Sequence, residues 1–182
     1  MSSAHGPHVE PHNKGIALLI AVLALVLAFS ETLGKAAQTA ALSANIEASN
    51  LWSFFQAKTI RQTVLRTAAE QTAALVSGDA ANQQIEAWKK SVERYQSEPD
   101  TGEGRKELAA RAKQAEAARE RAMAAYHHYE LASAAVQIAI VLASASIITA
   151  VAVLAWIAGA LGVAGAAFCV IGFFFPAAVH LF

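Results

Sequence analysis

The stretch Ile16-Ala-Leu-Leu-Ile-Ala-Val-Leu-Ala-Leu-Val-Leu-Ala-Phe29 contains nothing but Ala, Val, Ile, Leu and Phe, and its reading decides the fold. A second uncharged stretch begins at Leu131 and runs to Phe182, interrupted only by Ser133, Gln137, three later hydroxyls and His180. A membrane-spanning helix needs about 20 mostly apolar residues, so the second stretch holds two spans. The spans are expected near Gly15–Leu33, Ala134–Ile157 and Ala160–Ala178, with Gly159 and Gly162 marking the turn between the last two. Two alternatives stand beside this. The first stretch resembles the core of a secretory signal, with Ala28-Phe29-Ser30 as a loose cleavage site, but the region before it carries Lys14 as its only basic residue. The last stretch could instead be one span with a re-entrant segment, since glycines weaken helices.

The composition agrees with membrane insertion. Among 182 residues, 15% are charged and 55% hydrophobic, against roughly 25% charged in ordinary soluble domains. That hydrophobic content excludes a disordered chain, and the balance of fourteen basic against fourteen acidic residues argues against non-specific nucleic-acid binding. Cys169 is the single cysteine, so no internal disulfide forms, and no Cys/His pair has structural-zinc spacing.

Between the spans, Glu31–Glu130 holds 13 of the 14 basic and 13 of the 14 acidic residues. Its Ala, Gln, Glu, Arg and Thr favour helix, and no strand-like alternation interrupts them. Gly34 alone is too weak a breaker to end the first helix, which as one element to Val76 would reach about 90 Å at 1.5 Å per residue. Glu31 and Lys35 stand i, i+4 in the favourable order for a pair. Ala37, Ala41, Ala44, Ala48, Leu51 and Phe55 step by 4-3-4-3-4, a coiled-coil seam of small residues. The register then drifts to Ala57, Val64, Ala68 and Leu75. Ser77-Gly78-Asp79 supplies a C-cap glycine and an N-cap aspartate. An amphipathic helix follows over Ala80–Gln96, with Ile85, Trp88 and Val92 on one side. Glu98–Gly104 is a loop. A third helix from Arg105 carries Leu108, Ala112, Ala115, Ala122, Tyr126 and Tyr129 on one stripe and continues into the second span. The fold class is therefore an all-α membrane protein: three transmembrane helices with a long protruding, coiled-coil-like helical hairpin between the first and second. Its parts are a flexible tail over 1–14, the first span over 15–33, the hairpin over 34–130 and a transmembrane hairpin over 131–182.

Several residue groups are candidates for function. Gln38, Asn45, Ser49, Trp52, Gln56 and Thr59 form an uncharged, hydrogen-bonding stripe that could join subunits, line an axial passage or simply face water. Ala158, Gly162 and Ala166 form a small-xxx-small ridge of the kind that packs spans tightly. His5, His8 and His12 are weak metal candidates in a tail with no scaffold to fix them. His127 and His128, between Tyr126 and Tyr129, stand at interface depth. No Asp, Glu, Lys or Arg lies in the second or third span, which counts against a coupled transporter. There is no Gly-rich phosphate loop, His-Glu-x-x-His or Gly-x-Ser-x-Gly, so no catalysis and no cofactor are expected.

The run Ala41-Leu-Ser-Ala-Asn-Ile-Glu-Ala-Ser-Asn-Leu-Trp-Ser-Phe-Phe-Gln-Ala-Lys-Thr-Ile-Arg-Gln-Thr63, set directly after Ser30-Glu-Thr-Leu-Gly-Lys35, resembles a bacterial membrane-protein family known as domain of unknown function 4337. With the paired C-terminal spans, the resemblance covers nearly the whole chain except the His-containing tail. It implies a bacterial inner-membrane protein with three spans, and no activity or catalytic residue.

The expected function is that of a homo-oligomeric structural or partner-binding module in membrane lipid, with no nucleic acid and no identifiable small-molecule substrate. The alternative is an oligomeric channel whose axis is lined by the first helix and its extension. Lys35, Arg111, Lys113, Arg119 and Arg121 outweigh Lys14, so the positive-inside rule puts the hairpin and the C-terminus in the cytoplasm.

Overall fold

The computed structural model of the chain describes residues 11–177, with side chains from Lys14 onward. Four helices account for nearly all of it: α1 (Pro11–Leu75), α2 (Asp79–Gln96), α3 (Arg105–Thr149) and α4 (Ala152–Phe174). No strand occurs among the described residues. Three of the helices, α1, α3 and α4, are long and apolar enough to cross a membrane. The chain divides into two compact units. One is drawn from residues up to Ala41 and from Glu120 onward; the other is Leu42–Arg119.

In the first unit, α1, α3 and α4 pack around Ile16, Leu23, Val136, Ala139, Ala143 and Ala158. The buried positions of α1 here are Ile16, Leu23, Ser30, Gly34 and Ala41, multiples of the 4-3 step that marks a coiled-coil seam. The turn between α3 and α4 differs from expectation. It falls at Ala150–Val151, not at Gly159–Gly162. Ala150 adopts a left-handed conformation (φ 57°), and the Ser146 hydroxyl donates to the Val151 carbonyl at 3.0 Å. The glycines serve close approach instead. A Cβ at Gly162 would lie 2.5 Å from Leu23 Cδ2, and one at Gly165 would lie 2.5 Å from Val136 Cγ2. Such contacts are too short for real atoms, so a side chain at Gly162 would have to displace the Leu23 side chain, and one at Gly165 would press on Val136 and on the Ala132 carbonyl, 3.1 Å away. The expected Glu31–Lys35 pair is replaced by a bond across helices, with Gln137 Nε2 donating to Glu31 Oε1 at 3.4 Å.

In the second unit, Ala48 and Leu51 of α1 bury against Leu108, Ala112 and Ala115 of α3, flanked by Trp52 and Phe55. Ala48 and Leu51 of the alanine seam therefore meet Leu108, Ala112 and Ala115 of the α3 stripe. Beyond Phe55 the register does not drift. Lys58, Gln62 and Ala69 are buried and Leu65 is half-buried, continuing the 4-3 step from Leu51 and Phe55. Val64 and Leu75, expected to face a partner helix, are 60% and 83% exposed. Between α1 and α2, Gly78 takes φ 136°, a conformation that side chains rarely adopt. Gly78 is itself the N-cap, and Asp79, expected in that role, is the first helical residue and makes no capping bond.

Candidate functional site

The most highly organised polar cluster lies within the second unit, where α1, α2 and α3 converge on Arg105. Its Nε donates to Thr59 Oγ1 at 2.8 Å, and its Nη1 donates to Gln96 Oε1 at 3.0 Å and to Gln62 Oε1. The guanidinium also lies 4.9 Å from the Phe55 ring centroid. One planar fork thus ties side chains of α1 and α2 to the first residue of α3, which is what guanidinium geometry does well. Gln62, 4% exposed, uses its amide nitrogen on the Val92 carbonyl at 3.1 Å and on Gln96 Oε1 at 3.2 Å. Both ends of a buried amide are therefore satisfied.

Lys58 is 6% exposed. Its Nζ lies 5.3 and 5.1 Å from the ring centroids of Phe54 and Tyr95, and 3.8 and 3.7 Å from the carboxylates of Glu98 and Glu103. Two aromatic faces and two acids of the connecting loop offset its desolvation. The loop is held in turn by Glu107, which accepts from Ser97 Oγ at 2.6 Å and from the Glu98 amide at 3.1 Å. The Ser97 hydroxyl bond, with help from the backbone amides, holds the Glu107 carboxyl below its ordinary pKa.

The residues singled out in the sequence divide between bound and exposed. Trp52 Nε1 donates to Glu116 Oε1 at 2.8 Å, and Thr59 is engaged by Arg105. Asn45 Oδ1 accepts from Arg119 at 3.4 Å and is otherwise exposed. Ser49 and Gln56 are exposed. Gln38 borders a cavity of about 300 Å³ in the first unit, with Ser30, Glu31, Lys35, Tyr126 and Glu130 on its other walls. Ala158 and Gly162 are buried within the chain and Ala166 is half-buried. His5 and His8 lie outside the described residues, as does the side chain of His12. His128 is 1% exposed and stacks on Phe168 at 6.3 Å, with both ring nitrogens enclosed and unpartnered among the described residues.

Lys58, Gln62 and Arg105 were not legible as a cluster. The signal was present for two of them, because the 4-3 step through Leu51 and Phe55 lands on Lys58 and Gln62. Polar side chains at those steps read as a change of register until their partners on α2 and α3 are seen.

Packed apolar helices in one unit and a polar three-helix junction in the other define an all-helical protein with three candidate membrane spans. More particularly, the chain belongs to the family described as Domain of unknown function (DUF4337), whose model matches residues 12–175. No curated protein and no solved structure matches it.

Proposed function

We propose that this is a multi-pass protein of the bacterial inner membrane that acts as a homo-oligomeric structural or partner-binding module and catalyses no reaction. The carrying observation is the distribution of side chains in the first unit. Leu18, Phe29, Val141, Ile148, Trp156 and Phe173 are between 60% and 84% exposed, while Ser30 and Ser146 are almost fully enclosed. Large apolar groups facing outward, with small and hydroxyl residues admitted among the buried Ile16, Leu23 and Val136, suit helices whose solvent is lipid. The polar segment and the C-terminus are assigned to the cytoplasm, on the excess of Lys and Arg beside the spans.

The scaffold reading is favoured over the channel reading by Trp52 and Thr59, which spend their polar atoms on Glu116 and Arg105 of the same chain. Less of that stripe is left to line an axis. Reconstitution into liposomes tests both. Single-molecule photobleaching should count more than one copy per assembly, and planar-bilayer recordings should show no conductance. Single copies would overturn the oligomeric reading. A current altered by Asn45→Ala or Gln56→Ala would replace the scaffold with a channel.

A further inference from the structure

The 4-3 register of α1 that is buried in the second unit runs through Ala48, Leu51, Phe55, Lys58 and Gln62. Two residues on, and so about 200° round the helix, lies a second register: Ile46, Asn50, Ser53, Ala57, Ile60 and Val64, continuing to Gln71. Every one of these side chains is exposed, with Ile46, Ile60 and Val64 at 52%, 65% and 60%. None is charged, although Glu31–Glu130 contains nearly all the charge of the chain. Ala57 and Val64, expected from their spacing to face a partner helix within the hairpin, fall on this exposed face.

We propose that this opposite face of α1 is where a second copy of the chain docks, its own α1 parallel and in register. The inference rests on the membrane reading above, which anchors every copy the same way up. In a parallel pair the flanking positions bring Ser49 against the second copy's Phe54, and Gln56 against its Arg61. No like charges meet, and the Gln56 carbonyl faces a guanidinium donor. A lipid surface fits this face less well. Helices that lie on membranes carry Lys- and Arg-rich flanks, whereas here Glu47 and Arg61 stand on the same border. The area also points to a tethered partner. The register from Ile46 to Gln71 is roughly 39 Å long, and a strip about 10 Å wide would bury on the order of 800 Å² over both copies. Stable free complexes bury about 1,200–2,000 Å², so this seam needs the alignment and local concentration that a shared bilayer supplies.

Disulfide trapping in liposomes tests it, using the full chain with Cys169→Ala and single cysteines from I60C, A57C or, as a control on the exposed face of α3, K113C. Mild oxidation should give several-fold more dimer from I60C and A57C than from K113C, and adding Val64→Arg should abolish the excess. If photobleaching counts oligomers but I60C cross-links no better than K113C, the face is wrong and the oligomeric reading stands. If every variant is a single copy, both fall. Quenching of a fluorophore on I60C by brominated lipid would overturn the inference in favour of a membrane-surface helix.

Discussion

Helix α1 is packed by the same 4-3 step in both units, but the two units fill it with different chemistry. In the first, the step passes through Ile16, Leu23, Ser30 and Gly34, and the facing helix α4 contributes Ala158, Gly162 and Gly165. In the second it passes through Ala48, Leu51, Lys58 and Gln62. Where the proposed surroundings are lipid, apolar burial gains little, and contact comes from removing side chains so that backbones approach. Where the proposed surroundings are water, burying large residues such as Leu51 and Leu108 adds an apolar gain, and polar ones are admitted only with partners in place. Spacing is therefore common to both regions, while the tolerance for size and charge is local.

The sharpest way to break this contrast is at Leu108, 0% exposed in the second unit. Leu108→Ala should cost about 2–5 kcal/mol by opening a cavity, read as a fall in thermal midpoint by circular dichroism. The matching test in the first unit runs the other way. Gly165→Val adds atoms where even a Cβ would lie 2.5 Å from Val136 Cγ2, and overpacking there should cost about 1–3 kcal/mol. If Gly165→Val were neutral, close approach would not be what the glycine provides. Arg105→Met should cost about 1–2 kcal/mol, because Gln62 Oε1 loses its donor inside the junction. Arg105→Lys should recover only part of that, since an ammonium cannot make the forked contacts. Ala150→Gly should stabilise by about 0.5–1 kcal/mol, relieving a left-handed alanine at the turn.

The smallest effect is one of pH. Because the Glu107 carboxyl is held below its ordinary value of 4.5, its bonds stabilise the fold fully above that value and are lost as pH falls through the lowered one. A thermal-midpoint profile from pH 7 to pH 3 should therefore fall on the acid side, and Ser97→Ala should flatten that fall. An identical acid limb in the variant would mean that the Ser97 hydroxyl does not hold the carboxylate.

Helix identity, the loop at Glu98–Gly104 and the three apolar segments follow from the sequence alone, because each rests on local physics: propensity, breakers and the length of an apolar run. The alanine seam up to Phe55 was legible for the same reason, since periodicity is a one-dimensional signal. What spacing does not carry is the identity of the neighbour. Gly162 reads equally well as a turn or as a place for close approach, and the difference lies in Leu23, more than a hundred positions away. Lys58 and Gln62 look like solvated side chains until Val92, Tyr95 and Gln96 of α2 and Arg105 of α3 stand beside them. A buried polar group is stable only through partners that the chain brings together by folding, so the period of α1 was written in its sequence, and which of its faces turns inward was decided by the tertiary structure.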